Sequence, residues 1–143
     1  MEALNILQVE DNEIDIIITE EILDQGRVLE TLNTVSTAEE AILYLNKKSP
    51  FQTVEQPDLI LLDINLPISN GFSVLFEVKN NPELSHIPVI ILSSSTSDHD
   101  RSFAFKNGAD EFFEKPLEVS LLKSFLNKRE EKLSLADSRI MNQ

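Results

Sequence analysis

The stretch LILLDINLPISNG, residues Leu59 to Gly71, decides the fold of this chain. Four apolar residues end on one acid, Asp63, and a turn signal with a proline and an Asn-Gly pair follows at once. A continuous apolar run of this length is typical of a strand that is buried on both faces. An acid at the end of such a strand is a poor core residue, so Asp63 is a candidate functional residue.

Composition narrows the class of protein before any motif is considered. The chain has 143 residues, which predicts one domain, and it has no cysteine. Twelve basic and 25 acidic residues give a net charge of −13, which argues against a nucleic-acid partner. No apolar run reaches the roughly 18 residues of a membrane span, and the first residues do not resemble a secretory signal. We therefore expect no membrane association and a cytoplasmic location.

Strand patterns and helix patterns alternate along the chain. The predicted strands are residues 5–9, 29–35, 58–63, 89–95 and 110–113. The predicted helices are residues 12–26, 37–48, 71–79, 98–107 and 117–129. Five strands that alternate with five helices predict an α/β fold with a parallel sheet covered on both faces.

The helices carry apolar stripes that predict their packing faces. In the first helix the stripe consists of Ile14, Ile17, Ile18 and Ile22. In the last helix the predicted inward residues are Leu121, Leu122, Phe125 and Leu126. The second helix should carry two lysines in its last turn, where they would favour the helix dipole.

Polar side chains follow four of the predicted strands. Glu10 and Asp11 end the first strand, Asp63 the third, Ser93 the fourth, and Lys115 follows the fifth. The carboxyl ends of parallel strands meet at one edge of a sheet, where open α/β sheets bind their ligands. Three carboxylates there would repel one another unless a cation joined them, and oxygen ligands suit Mg²⁺. An aspartate can also form an acyl phosphate, with the metal, the lysine and the hydroxyl neutralising the phosphoryl oxygens.

At these residues the chain resembles the receiver domain of two-component response regulators. The resemblance covers residues 5–129. It rests on the segments VEDN (9–12), PDLILLD (57–63) with Leu66-Pro67 and Gly71, PVIILS (88–93), and GAD (108–110) through Lys115-Pro116. The spacings from Asp63 to Ser93 and from Ser93 to Lys115 also fit the family. The family fold is flavodoxin-like: a (βα)5 three-layer sandwich with a parallel five-stranded sheet in the order 2-1-3-4-5.

The resemblance also implies roles for individual residues. Asp63 would be the phosphoacceptor, with Ser93 and Lys115 acting on the phosphoryl group. Glu10, Asp11, Asp63 and the backbone carbonyl of Asn65 would hold Mg²⁺. Ser93 and Phe112 would form the switch, and Phe112 lacks the hydroxyl of the tyrosine often found there. Phosphorylation would then change the face built from helix four, strand five and helix five.

The implied function is that of a single-domain response regulator. A sensor histidine kinase or a histidine phosphotransfer protein would donate the phosphoryl group, and the chain would not turn over an external substrate. The loop 49–56 and the segment NNPELSHIP (80–88) resemble the small receivers that pair with phytochrome-type kinases. Residues 1–129 would form the receiver domain, and residues 130–143 a tail or a helix extension. Leu133, Ala136 and Ile140 could support a homodimer through that tail.

Three alternative functions remain to be weighed. A receiver-like module that binds partners without phosphorylation is the main one, and the intact set of site residues argues against it. An aspartyl-phosphate hydrolase commonly has a second acid two residues after its nucleophile, where this chain has Asn65. A flavodoxin would need a phosphate-binding loop after the first strand, where Glu10 and Asp11 would repel phosphate.

Overall fold

The computed structural model describes residues 2–66, 68, 70–95 and 97–141, with side chains described up to residue 137. Pro67 and the side chain of Ile140, both named above, lie outside the described part. Ten elements alternate strictly between strand and helix along the chain. The five strands form one parallel sheet in the order β2-β1-β3-β4-β5, which confirms the predicted flavodoxin-like architecture.

The strands are short and mostly buried. The central ones, β3 and β4, are buried at every position, as expected for a parallel sheet with helices on both faces. The strand bounds are β1 Leu4–Val9, β2 Leu29–Val35, β3 Leu59–Leu62, β4 Val89–Ser93 and β5 Glu111–Glu114. The sequence therefore predicted all five strands, with differences of one or two residues at their ends.

Three helices begin where a polar side chain caps their first turn. Asn12, Thr37 and Ser97 accept backbone hydrogen bonds at the starts of α1, α2 and α4. The helix bounds are α1 Glu13–Gln25, α2 Ala38–Leu45, α3 Phe72–Asn80, α4 Asp98–Lys106 and α5 Val119–Met141. Helix α2 ends at Leu45, so the predicted lysines lie beyond its last turn.

Two apolar cores lie on the two faces of the sheet. One contains Leu7, Val9, Ile60 and Leu62 together with residues of α2 and α3. The other contains Ile6, Leu59, Leu61 and Ile90 and closes against residues of α1 and α5. Alternate strand residues thus enter opposite cores, which gives three layers: helices, sheet and helices.

Two predicted packing faces are only partly correct, because Ile22 of α1 and Leu122, Phe125 and Leu126 of α5 pack against the core but other predicted residues do not. In α1, Ile14 and Ile17 are 69% and 64% exposed, whereas Thr19 and Leu23 are the buried residues. In α5, Leu121 is 47% exposed, while Leu122 and Leu126 are buried. In both helices the apolar stripe is wider than the face that the sheet covers, so hydrophobicity alone does not select the buried residues.

The C-terminal segment continues α5 without a break as far as Met141. Residues 130–137 of this extension are exposed, including Leu133 and Leu135. No helix in the described part of the chain is long and apolar enough to cross a membrane. The cytoplasmic location stays a prediction.

Candidate functional site

Four strands end at the same level on one edge of the sheet. Val9 at the end of β1 is in register with Leu62 at the end of β3, and Leu62 with Ile91 of β4. Ser93 at the end of β4 is in register with Glu114 at the end of β5. The residues that follow these ends therefore meet at one place, which we call the rim.

The acids of the rim form a compact cluster. Carboxylate oxygens of Glu10, Asp11 and Asp63 all lie within 4.8 Å of one another. Glu10 and Asp63 are only 3% and 7% exposed, whereas Asp11 faces solvent. Two buried carboxylates beside a third are costly unless cations join them. Because Asp11 faces solvent, an ion or ligand from solution can reach the cluster from that side.

Local backbone hydrogen bonds fix the two buried acids. The Oε2 atom of Glu10 accepts from the backbone N–H groups of Asp11 (3.1 Å) and Asn12 (3.3 Å). The Oδ1 atom of Asp63 accepts from the backbone N–H of Asn65 at 2.8 Å. Each acid is therefore held through one oxygen, and its other oxygen points to a different partner, Lys115.

Lys115 is the cation of the rim. Its backbone N–H extends the β4–β5 pairing to the carbonyl oxygen of Ser93 at 2.8 Å, which places its side chain over the strand ends. Its Nζ donates to Glu10 Oε1 (2.5 Å), Asp15 Oδ2 (2.9 Å) and Asp63 Oδ2 (3.0 Å). All three ammonium N–H bonds are therefore used by carboxylates.

The pKa shifts of Glu10 and Lys115 reflect burial together with the charges of the rim. Burial raises the pKa of Glu10 to about 7; the contact with Lys115 opposes this rise, and the neighbouring Asp63 adds to it. Burial acts to lower the pKa of Lys115, but hydrogen bonds from Glu10, Asp15 and Asp63 outweigh it and raise that pKa. One ammonium is thus firmly charged while the buried glutamate holds a proton close to neutral pH.

Ser93 is fully buried at the end of β4 and is linked to Asp63 through Asn65. The Oγ atom of Ser93 accepts from the backbone N–H of Ser95 at 3.0 Å and from the Asn65 side-chain amide at 3.4 Å. Within the described part of the chain both of these contacts are accepted by the hydroxyl oxygen. No residue in the described part of the chain accepts the proton of this hydroxyl, so the hydroxyl can donate to a ligand at the rim.

Phe112 lies on β5, two residues before Glu114 at the end of that strand. Its side chain is 5% exposed, and Arg101 of α4 covers it. The guanidinium of Arg101 donates to the backbone carbonyl of Phe112 at 3.0 Å and lies 5.7 Å from the ring centroid. The same guanidinium is 5.2 Å from the ring centroid of Phe105. The Phe112 position is therefore coupled physically to α4.

Gly71 closes the loop that follows Asp63. A Cβ built on Gly71 would lie 2.6 Å from the Cα of Ile64 and would also collide with the carbonyl oxygen of Asp63. The backbone after Asp63 therefore passes so close to the start of α3 that only glycine fits. This contact gives a physical reason for the glycine that the sequence motif contains.

The structure adds one residue that the sequence analysis missed. Asp15 contacts Lys115 directly, although it lies in α1 and not at a strand end. Its position follows from the packing of α1, because Asp15 is spaced by four residues from Thr19 and by eight from Leu23, the two buried residues of α1, whereas the isoleucines of the sequence predicted another face. Asp15 therefore occupies the upper end of the helix face that packs on the sheet.

The donor set at the rim fits a hard divalent cation. Glu10, Asp11 and Asp63 offer carboxylate oxygens, which Mg²⁺ prefers, and the exposed side leaves room for water ligands. Three carboxylates contact one ammonium and that of Asp11 lies beside them, so a further cation would relieve their repulsion. The set contains no sulfur or imidazole ligand that would favour a softer metal.

Comparison with known proteins gives the same family as the geometry. The model of the response regulator receiver domain family matches residues 6–127. The response regulator Rcp1 of Synechocystis is 36% identical over 95 residues, which are 66% of this chain and 65% of Rcp1. The Arabidopsis two-component response regulator ARR17 is 35% identical over 83% of this chain and 80% of its own length. For a probable cyclic di-GMP phosphodiesterase of Vibrio cholerae the match covers only 15% of the relative.

Solved structures extend the likeness to nearly the whole chain. The phosphorylated cyanobacterial phytochrome response regulator RcpA is 35% identical, with a TM-score of 0.75 over 90% of this chain and 92% of its own. The bacteriophytochrome response regulator AtBRR is 31% identical, with a TM-score of 0.78 over 89% of this chain and 92% of its own. With the family match, the strand order and the acidic rim, the chain belongs to the response regulator receiver domain family.

Proposed function

We propose that this protein is a phosphoacceptor of a two-component system and that Asp63 receives the phosphoryl group. The observation that carries the proposal is the placement of the Asp63 carboxylate. Its Oδ1 accepts from the Asn65 backbone and its Oδ2 accepts from Lys115, in a cluster with two further acids. A buried nucleophile next to a cation and a metal-ligand set is suited to attack on an anionic phosphorus centre.

Glu10, Asp11, Asp63 and the backbone carbonyl of Asn65 are the proposed Mg²⁺ ligands. The compactness of the three-acid cluster and the raised pKa of Glu10 support this assignment. A relative, Rcp1, has been solved in a Mn²⁺-bound form at 30% identity to this chain. The bound ion would neutralise charge on the phosphoryl oxygens. Because the ligands must be deprotonated, binding of the ion would release the proton from Glu10.

The transfer step balances without any further reactant. A carboxylate oxygen of Asp63 attacks the phosphorus of a phosphohistidine, the new O–P bond forms, and the N–P bond breaks. The imidazole leaves with the electron pair of that bond and takes a proton from solvent. The chain is the acceptor in this reaction and keeps the phosphoryl group, so we do not assign it turnover of an external substrate.

Lys115 and Ser93 are the proposed partners of the phosphoryl group. Lys115 already contacts Asp63 Oδ2, so its ammonium can follow the group that is added there. The hydroxyl proton of Ser93 would donate to a second phosphoryl oxygen, which would draw Ser93 towards the rim. These two contacts convert a local charge into a movement of the β4 end and β5.

Phe112 is the proposed second part of the switch. Its buried ring and its carbonyl are both held by Arg101, so a movement of the β4 end would be transmitted to α4. The output face would then be built from α4, β5 and α5. Since phenylalanine has no hydroxyl, this readout depends on packing and on the Arg101 contact and not on a tyrosine hydrogen bond.

The proposed donor is a sensor histidine kinase or a histidine phosphotransfer protein. Helix α1 exposes Ile14, Ile17 and part of Ile18 on one face, and Ile18 lines a cavity together with Asp15 and Lys115. Large exposed apolar side chains that are grouped in this way mark a protein contact surface. The similarity to RcpA and AtBRR supports a kinase of the phytochrome type.

We also propose that residues 1–129 form the receiver domain and that the α5 extension joins two copies. Leu133 and Leu135 are 56% and 60% exposed on this extension. Light scattering after size exclusion should give a dimer for the full chain and a monomer for the chain that ends at Arg129. An equal mass per particle for both would contradict the dimer, and failure of the shortened chain to fold would contradict the domain boundary.

The experiment that tests phosphorylation is intact mass after incubation with acetyl phosphate. The wild type should gain one phosphoryl group in the presence of Mg²⁺ and none after chelation. Asp63→Asn should gain none. Asp58→Asn is the matched control, because Asp58 lies at the opposite end of the same strand and caps the β1 backbone. This control should gain the group at the wild-type rate.

A negative result would favour the alternative function. If the wild type gains no mass, and if beryllofluoride leaves its amide NMR spectrum unchanged, the phosphoacceptor proposal fails. The protein would then act as a receiver-like interaction module that does not need phosphorylation. If Asp63→Asn gains the group at the wild-type rate, another residue is the acceptor and the assignment of Asp63 fails.

A further inference from the structure

The three acceptors of Lys115 belong to two different groups. Glu10 and Asp63 are members of the acidic cluster proposed for Mg²⁺. Asp15 lies outside that cluster, on the first turn of α1, and one third of its side chain is exposed. Lys115 is therefore bonded to two proposed metal ligands and to one carboxylate outside the proposed ligand set.

A divalent cation and the ammonium compete for the same two carboxylates, those of Glu10 and Asp63. Lys115 donates to Glu10 Oε1 and Asp63 Oδ2, while the other oxygen of each acid is held by backbone N–H groups. A cation bound by Glu10 and Asp63 would weaken both contacts of the lysine, because like charges repel and each lone pair serves one cation best. The lysine then requires another acceptor to remain at the rim.

We propose that Asp15 is the positioning residue that retains the Lys115 ammonium at the rim when Mg²⁺ takes the oxygens of Glu10 and Asp63. The inference rests on the proposed function, because it requires the cation to bind at that cluster. Asp15 thereby lowers the cost of displacing the lysine and keeps its charge beside the acceptor oxygen of Asp63.

The surroundings of Asp15 allow this role. The backbone N–H of Asp15 is fixed by the N-cap residue Asn12 at 3.1 Å, so the first turn of α1 is held in place. Asp15 and Lys115 line a cavity of about 300 Å³ together with Ile18, Thr19 and Pro116. The ammonium therefore has room to shift away from Glu10 and Asp63 while it keeps its 2.9 Å contact with Asp15.

Asp15 could act only through its charge in the first turn of α1, and Glu13→Gln is the matched control for that effect. An acid in the first turn of a helix interacts favourably with the helix dipole, whatever else it contacts. Glu13 shares the first turn of α1 and is exposed. The contacts of Lys115 in the described part of the chain are made with other acids. Glu13→Gln therefore removes the same charge near the rim without removing a lysine acceptor.

The test measures the Mg²⁺ dissociation constant by amide NMR, without a phosphoryl donor. Asp15→Asn should weaken Mg²⁺ binding about two- to fivefold more than Glu13→Gln does, the range expected for loss of a partly exposed ion pair. Asp15→Glu, which keeps the charge, should stay close to the wild type. The same spectra show whether each variant is folded.

Repeating the substitutions in the Lys115→Gln variant separates the effect of the lysine contact from the general effect of removing a negative charge. In Lys115→Gln no ammonium competes for the metal ligands, so Mg²⁺ should bind more tightly than in the wild type. There, Asp15→Asn should have no larger effect than Glu13→Gln, because Asp15 no longer has a lysine to hold.

Two results would overturn the inference. Either Asp15→Asn equals Glu13→Gln in the wild-type background, or its excess effect persists in Lys115→Gln. Both results leave the proposed phosphoacceptor function intact, since Mg²⁺ still binds. A wild type that binds no Mg²⁺ at millimolar concentration would overturn the proposed metal site and this inference together.

Discussion

The two ends of the sheet each hold a poorly exposed lysine bonded to an aspartate, and only one end looks like a functional site. At the amino end, Lys79 of α3 pairs with Asp110, just before β5, at 2.9 Å. At the carboxyl end, Lys115 pairs with Asp63 at 3.0 Å. The distances are nearly equal, so the difference lies in what else surrounds each pair.

The amino-end pair is complete in itself. Lys79 Nζ also donates to the carbonyl oxygen of Ile87 at 3.1 Å, and Asp110 Oδ2 also accepts from the backbone N–H of Val89 at 2.8 Å. One ammonium meets one carboxylate, and the backbone supplies the remaining hydrogen bonds. A balanced pair of this kind fixes the loops before β4 and β5, and no ligand is required to complete it.

The carboxyl-end group is unbalanced. One ammonium faces Glu10, Asp15 and Asp63, with Asp11 beside them. Burial is the largest cause of the raised pKa of Glu10; the contact with Lys115 opposes the rise, and the neighbouring Asp63 adds to it. Surplus charge of one sign, and not the presence of an ion pair, distinguishes a ligand site from a structural contact.

Addition of Mg²⁺ should give the largest change in the free energy of unfolding. The ion should act only at the carboxyl-end group. At about one hundred times its dissociation constant the ion should raise the free energy of unfolding by about 2.7 kcal/mol. Chemical denaturation with and without Mg²⁺ measures this difference. Asp11→Asn removes one proposed ligand and should reduce it, whereas Asp110→Ala should retain it in full. Equal loss in both variants would show that Mg²⁺ does not act at the rim.

Loss of the Lys79–Asp110 pair should lower the free energy of unfolding by nearly as much as Mg²⁺ raises it. Asp110→Ala leaves the Lys79 ammonium and the Val89 N–H without their carboxylate, so we expect a loss of about 2 kcal/mol in the free energy of unfolding. Urea denaturation at neutral pH checks this. Asp137→Ala makes the same change at an exposed position of α5 and should alter stability little. A loss in Asp110→Ala no greater than in Asp137→Ala would contradict the structural role of the pair.

The pH dependence of stability should identify Glu10 as the centre of the imbalance. Its pKa in the folded protein is raised from 4.5 to about 7, so between these values the folded state holds more protons than the unfolded state. Stability therefore falls as pH rises through this window, by about 1–2 kcal/mol. Lys115, whose pKa is raised above its ordinary value, loses its contribution only at strongly alkaline pH.

Glu10→Gln is the variant that tests this assignment. Without Mg²⁺, the free energy of unfolding of the variant relative to the wild type should increase from pH 5 to pH 7, because the glutamine does not titrate. Denaturation curves at several pH values give the difference. A difference that stays constant over this range would mean that the proton resides elsewhere in the rim.

The same contrast explains how far sequence reasoning reached. The continuous apolar runs of β3 and β4 predict buried strands, and the order of the strands along the chain places Glu10, Asp63 and Ser93 at one edge. Asp15 could not be found in this way. The isoleucines around it predict that another face of α1 is buried, and the structure shows that face exposed. Which face of a helix packs is decided by the surfaces of its neighbours, and an apolar stripe wider than the contact leaves that choice open.

Substitution of the exposed isoleucines of α1 tests partner binding beside the carboxyl-end group. Of all the substitutions considered, these should change the free energy of unfolding least. Ile14→Ser and Ile17→Ser should alter the free energy of unfolding by less than about 0.5 kcal/mol, because both side chains are mostly exposed. Phosphorylation by acetyl phosphate should be unchanged, because neither residue contacts the acids of the rim. Phosphotransfer from a histidine kinase that phosphorylates the wild type should slow severalfold, because the proposed docking surface is lost.

Leu135→Ser is the control for these isoleucine variants, since Leu135 is equally exposed but lies on the α5 extension, away from the rim. It should leave phosphotransfer from the kinase unchanged. If both acetyl phosphate and the kinase react more slowly with the isoleucine variants, the substitutions have disturbed the rim itself. If neither reaction changes, the donor protein docks elsewhere, and the apolar surface of α1 serves a different contact. Only selective slowing of the kinase reaction assigns that surface to the phosphoryl donor.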